Sequence, residues 1–210
     1  MNVISDAEKT LTGIQGPFQS IDISNSGSRE LQFWQGKKET DVDAFPRLKE
    51  YWDYVQFGDN WSPSETPWSA AFISYVLRDQ GFPKRAAHRL YMQDIIDGKS
   101  PSWGAFSIPK TDKLQLHVGD VLIKPRSGNY NNSHGDVVYK IEKGQAFLIG
   151  GNLGNTARIT EIFKVDEKGF VQEDVSPYLV ILKKKGTSNK IIIPLVVGAI
   201  VSLFFITRNS

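Results

Sequence analysis

Apolar residues change their spacing part-way along the chain, dividing it into a helical stretch and a sheet-forming one. In DAFPRLKEYWDYVQF (43–57), Phe45, Leu48, Tyr51, Trp52 and Val55 recur every three or four positions, which predicts an amphipathic helix. After the loop GDNWSPSETP comes PWSAAFISYVLRDQGF, where Trp68, Ala71, Phe72, Tyr75 and Val76 form a second stripe. Ser64 or Thr66 is a candidate cap for it, Pro67 suits its first turn and Gly81 supplies a stop. Residues 86–98 predict a third helix. From there GDVLIKP, HGDVVYKIEKGQAFLIGGN, ITEIFKVDEKGFVQED and PYLVILK read as short β-branched strands separated by EKG and GN turns. Helices followed by antiparallel strands make an α+β domain, assigned to 43–182. Residues 1–42, punctuated by Gly13, Gly16, Pro17, Gly27 and Gly36, read as an irregular arm with room for one short strand.

The C-terminal end follows a different pattern. IIIPLVVGAIVSLFFI (191–206) has no charge, and sixteen residues of helix span roughly 24 Å, slightly short of a hydrocarbon core of about 30 Å. Including Thr207 and letting Lys190 and Arg208 snorkel extends the span. The expectation is a transmembrane helix over 191–207 behind a basic linker, 183–190. A buried core helix is the alternative, but it would carry a polar face, and this segment has none. The linker lysines favour keeping the preceding domain on the cytoplasmic side, or inside a virion. The polar, Gly-interrupted N-terminus does not read as a signal peptide.

Composition narrows the function classes. The chain has 210 residues and 40% hydrophobic content with 11% aromatics, enough to build a core. Cysteine is absent, which excludes a disulfide scaffold, a zinc ribbon and a thiol nucleophile. The net charge of +2 comes from five tail residues, Lys183, Lys184, Lys185, Lys190 and Arg208, and 1–182 holds 20 basic against 23 acidic residues. The folded part is therefore slightly acidic, and no nucleic-acid partner is expected.

Three histidines are available, His88, His117 and His134. His134 opens a strand after the polar loop RSGNYNNS, a setting that suits a general base. Asn152 follows one hairpin later, where it would orient His134 or simply serve the turn together with Asn155. Ser69 falls in the first turn of the 68–79 helix, where free N–H groups favour developing negative charge, or where a serine satisfies one of them. No metal cluster, phosphate loop or dinucleotide fingerprint competes with this set, and no cofactor is expected.

Together, PWSAAFISYV, AAHRLYMQDI, GDVLIKPRSG, SHGDVV and GGNLGNT resemble a bacterial subfamily of the NlpC-like cell-wall peptidases, a superfamily that includes the CHAP amidases. The resemblance covers roughly 45–182 and implies a circularly permuted papain-like fold that cleaves amide bonds in peptidoglycan peptides. It implies Ser69 at the place of the usual nucleophilic cysteine, His134 as base and Asn152 as third residue. It also puts Trp68, His88 and Tyr91 along the cleft and leaves Asp120 structural. The departure is chemical: a hydroxyl, unlike a thiolate, must lose its proton to the base during attack, so Ser69 Oγ should lie within about 4 Å of a His134 nitrogen. The expected function is a membrane-anchored, peptidoglycan-directed amide hydrolase. The alternative is a catalytically silent papain-like module, binding a peptide ligand through loop aromatics such as Trp61, Trp103 and Tyr130, or serving as a scaffold in a membrane or virion assembly.

Overall fold

The computed structural model of the chain describes residues 15–108, 114–126 and 129–186. The apolar tail expected to cross a membrane, 191–207, lies outside the described residues, as do 1–14 of the expected arm and the last four residues of the expected linker. Among the described residues no helix is long and apolar enough to cross a membrane.

Among the described residues, four helices precede the sheet: α1 (Gln15–Trp34), α2 (Phe45–Tyr54), α3 (Ser69–Val76), which runs on into a 3-10 turn (Arg78–Gln80), and α4 (His88–Ile96). Six strands follow: β1 (Trp103–Ser107), β2 (Val121–Arg126), β3 (Asn129–Glu142), β4 (Gln145–Gly150), β5 (Arg158–Lys164) and β6 (Val180–Lys184). They form one sheet in the order β1-β6-β2-β3-β4-β5, with every pairing antiparallel. The protein is thus α+β, as its periodicity predicts.

Alternation along the strands fills two cores. Val121, Ile123, Val137, Tyr139, Ile149, Val180 and Leu182 face the helices. Leu122, Val138, Ala146, Leu148, Phe163 and Ile181 face the other way, where Leu114, Leu116, Val171, Val175 and Tyr178 from connecting segments cover them. Covering both faces of the sheet lets buried polar groups sit on either side of it, and the candidate site uses this.

α1 corrects the expectation of an irregular arm. Its buried positions, Ile23, Ser26, Gly27, Glu30 and Trp34, recur at helical spacing, but three of them are serine, glycine and glutamate. An apolar count therefore misses the stripe. Ser24 Oγ donates to the Tyr139 carbonyl (2.7 Å), and Tyr51 and Arg47 on α2 hold the buried Glu30 carboxylate. Burial raises the Glu30 pKa, against the opposing effects of Tyr51 and Arg47. Trp103, expected in a loop, instead opens β1, buried with its indole N–H on the Gln80 carbonyl (3.2 Å). Trp61 is half-buried and stacks on Phe45 (4.9 Å). Lys183 and Lys184, expected to begin the linker, belong to β6, and Lys183 pairs with buried Asp120.

Gly27 tests this packing. Alanine normally favours a helix interior by about 1 kcal/mol over glycine. A Cβ at Gly27, however, would sit 2.7 Å from Tyr139 Cβ on β3, and overpacking costs about 1–3 kcal/mol. Gly27→Ala is expected to lower stability by about 1 kcal/mol in urea unfolding. A stabilised variant would show that α1 does not pack on β3.

Candidate functional site

α3 begins at Ser69, and its start is held by side chains from two other segments. Trp68, the residue before the helix, is fully buried, stacks on Trp34 (4.7 Å between ring centroids, 16° between planes) and donates its indole N–H to Glu39 Oε2 (2.7 Å). Asn152 is oriented with its amide nitrogen toward Glu39 Oε2 (3.1 Å) and its oxygen accepting from the Trp68 backbone N–H (3.3 Å), the assignment that gives both groups complementary partners. Its φ of 57° is a left-handed value that asparagine tolerates. Beside it, Gly151 lets the chain pass close to α3: a Cβ there would sit 2.7 Å from Phe72 and 2.8 Å from Trp68. The residues of the β4–β5 turn thus fix where α3 starts.

Ser69 is 6% exposed, and its Oγ lies 2.7 Å from His88 Nε2 in the first turn of α4. The other His88 nitrogen, Nδ1, meets the buried Tyr91 hydroxyl one turn on. Burial holds the His88 pKa well below its usual value, and the neighbouring His134 and Arg126 push it the same way. Burial likewise raises the Tyr91 pKa, so its hydroxyl keeps its proton. A neutral imidazole offers one donor and one acceptor. Nδ1 is the only acceptor near the Tyr91 proton among the described residues, and leaving that buried donor unpaired would cost about 1–3 kcal/mol. Tyr91 therefore donates to Nδ1, and His88 Nε2–H donates to Ser69 Oγ. In this state His88 aims the serine oxygen without taking its proton.

His134 lies on β3, just beyond the point where β4 stops pairing with it at Val137↔Ile149. It is fully buried, and its ring meets His88 edge-on, 5.6 Å between centroids. Nε2 donates to Asp136 Oδ1 (3.0 Å), and Nδ1 accepts from Arg126 Nη2 (3.1 Å). A guanidinium only donates, so Nδ1 carries the lone pair and Nε2 the proton. The second Asp136 oxygen accepts from Tyr178 Oη (2.6 Å) and faces Lys124 Nζ at 3.5 Å. Burial alone would raise the Asp136 pKa. The hydrogen bond and electrostatic attraction of the His134 N–H, the charge of Lys124 and the Tyr178 hydroxyl together bring it down to about 2.

Two glycines make room for these side chains. A Cβ on Gly135 would sit 2.5 Å from the Tyr91 oxygen and 3.0 Å from His88 Nδ1. One on Gly150 would run into Asp136 Oδ1 and lie 3.1 Å from His134 Nε2.

The expected site residues thus assemble differently from the expectation. Ser69 is bonded to His88, and no hydrogen bond joins it to His134. Asn152 does not orient His134. That role falls to Asp136, two residues along the same strand face, while Asn152 anchors the start of α3. Trp68 and Tyr91, expected along the cleft, are fully buried, and Trp68 serves the core. His117 lies elsewhere, its backbone N–H on Asp120 at the start of β2. The signal for Asp136 was present in SHGDVV: His-x-Asp within a strand puts both side chains on one face. Lys124 and Tyr178 lie 54 residues apart in sequence and gave no comparable signal.

The fold and this cluster define an α+β protein with a serine–histidine pair beside a histidine–aspartate dyad. The chain belongs to the family described as an uncharacterized protein conserved in bacteria (DUF2272), which matches residues 22–187 and so takes in most of α1 and every strand. No curated protein and no solved structure matches the chain.

His88 makes stability depend on pH in a predictable direction. Folded, it stays neutral; the unfolded chain takes up its proton below the free value of 6.5. Protonation then favours the unfolded state, so stability is lost as pH falls below 6.5, with a limiting slope of about 1.4 kcal/mol per pH unit. Urea unfolding between pH 7 and 5 should show a shallower slope for His88→Asn than for the wild type. Equal slopes would mean that His88 titrates freely in the folded protein.

Proposed function

We propose that this protein is a serine-dependent amide hydrolase of the NlpC-like, papain-like kind, acting on cell-wall peptides. The observation that carries the reading is the hydrogen bond of Ser69 Oγ, at the start of a helix, to a neutral imidazole (2.7 Å), with a second imidazole backed by a carboxylate 5.6 Å further on. In the proposed reaction Ser69 Oγ attacks the substrate carbonyl carbon, and its proton passes to His134 Nδ1. Asp136 holds the ring and stabilises the imidazolium. The oxyanion forms against first-turn N–H groups of α3, which have no intrahelical acceptor. The C–N bond then breaks, His134 protonates the leaving amine, and water releases the acyl group from Ser69 by the same route. His88 keeps the serine oxygen aimed. Because Ser69 and His134 are not bonded at rest, bound substrate must bring the hydroxyl onto Nδ1.

The test is release of soluble peptides from purified muropeptides by the full chain. Ser69→Ala and His134→Ala should abolish release. Asp136→Asn should lower kcat by about a hundredfold or more, as loss of an orienting carboxylate does elsewhere. Release that persists in Ser69→Ala would overturn the nucleophile assignment. One observation favours a second reading, a silent peptide-binding module: in this state Ser69 Oγ accepts a hydrogen bond and is not activated. Muropeptide binding without release by the wild type would establish it.

We further propose that 191–207 anchors the chain in a bilayer, on the strength of an uncharged run flanked by Lys190 and Arg208. The full chain should float with lipid vesicles on a density gradient, and a chain ending at 186 should not. Flotation of the shortened chain would overturn the anchor.

A further inference from the structure

Arg126 occupies an unusual position for an exposed cation. It ends β2, immediately after a register irregularity between Pro125 and Arg126, and such irregularities re-aim a side chain. Its guanidinium is directed onto His134 Nδ1 (3.1 Å), the one nitrogen of that buried ring not committed to Asp136. Among the described residues no carboxylate lies within ion-pair distance of Arg126. Its neighbour Lys124 differs in this respect, being held by Tyr178 (3.1 Å), Asp136 (3.5 Å) and Glu161 (3.9 Å). Lys124 neutralises the buried carboxylate, while the charge of Arg126 has no anion beside it among the described residues.

A second observation points to a missing ligand. Ser133, which directly precedes His134 on β3, is buried, and its hydroxyl has no hydrogen-bond partner among the described residues. Strand alternation puts Ser133 on the same face as Gly135, the face that meets His88 and Tyr91. A buried hydroxyl without a partner costs about 1–3 kcal/mol, which a ligand's peptide group or a water there would relieve.

We infer that Arg126 is the binding residue for a free carboxylate on the peptide substrate, and that engaging it withdraws the guanidinium from His134 Nδ1. This inference rests on the hydrolase reading and deepens it by naming the substrate class and what turns the base on. Guanidinium and carboxylate match as a two-bond fork, which a neutral imidazole nitrogen cannot offer. A carboxylate therefore outcompetes His134 for Arg126 and leaves Nδ1 with its lone pair uncovered. No covalent bond is made or broken in this step, and the proton stays on His134 Nε2, hydrogen-bonded to Asp136. A peptide lacking the carboxylate leaves Arg126 on the base. Discrimination then arises from a group that does not itself react.

The experiment follows the histidine ring nitrogens of the full chain by long-range 1H–15N correlation while a dipeptide is added. The probes are N-acetyl-alanyl-alanine and its C-terminal amide. In the free protein His134 should show an unprotonated Nδ1 and a protonated Nε2. The acid should shift the Nδ1 signal saturably, and the amide should bind at least tenfold more weakly. Arg126→Gln should lose that tenfold preference, and Arg126→Lys should keep part of it. Arg126 is exposed at a strand end, so neither substitution touches the core. Equal binding of acid and amide, or an unchanged preference in Arg126→Gln, would overturn the inference. The readout needs no turnover, so absence of hydrolysis and absence of carboxylate recognition are separate results.

Discussion

A fully buried carboxylate, Asp136, constrains more of this structure than any other group. Taking an isolated carboxylate out of water costs several kcal/mol even after relaxation, so its partners must be in place when the sheet closes. They come from three parts of the chain: His134 on β3 itself, Lys124 on β2 and Tyr178 in the segment before β6. The low pKa of Asp136 reflects this compensation. Because strand alternation sends Asp136 and His134 to one side of β3 and Gly135 to the other, fixing the carboxylate also fixes the histidine ring and leaves a gap against α4. The strand order, the covered second face and the position of His134 are therefore one constraint seen from three sides.

The serine side of the cluster rests on a separate polar anchor. Glu39 receives the Trp68 indole and the Asn152 amide, and Asn152 in turn accepts the Trp68 backbone N–H. This joins the loop after α1, the start of α3 and the turn after β4. A helix start held by two other segments cannot shift without breaking buried hydrogen bonds, each worth about 1 kcal/mol and more to a charged group. Ser69 is positioned by this joint, and His88 adds the last contact. The two anchors meet at the paired glycines, where Gly150 clears Asp136 and Gly151 clears α3. Side chains at those two positions would push the halves of the cluster apart.

The cluster in this state is closed and committed. Ser69 accepts from His88, His134 has partners on both nitrogens, and Tyr91 supplies a proton where a triad would supply an acceptor. Such a site is poised for chemistry only if a ligand changes its hydrogen bonds, and Arg126 is the member most easily moved, being exposed and without a carboxylate partner among the described residues. Under the proposed hydrolase reading, a hydroxyl nucleophile suits that arrangement, because it stays inert until a base is released, whereas a thiolate would be reactive at rest.

Much of the architecture was legible from the sequence. The stripes at 45–55 and 68–76 were helices, the β-branched runs were strands except GFVQED, which makes only isolated bridges, and their order made the protein α+β, because apolar periodicity reports directly which face of an element is buried. Ser69 at a helix start was readable, since it follows from local position, but His134, expected to open a strand after a polar loop, lies inside β3 and is fully buried, because the strand begins earlier, at Asn129. The pairings were not readable. α1 went unread because the middle of its buried stripe is Ser26, Gly27 and Glu30, residues whose burial makes sense only with Tyr139 and Arg47 against them. Asn152 was placed correctly in its turn but given the wrong partner. The bonds of Ser69 to His88, His134 to Asp136 and Arg126, and Asp136 to Lys124 and Tyr178 depend on which segments lie side by side, and local pattern carries no information about that. Local sequence determined the elements through the periodicity of burial. Tertiary packing alone decided the hydrogen-bond partners, because each buried polar group must find its complement in whatever neighbouring segment the fold supplies.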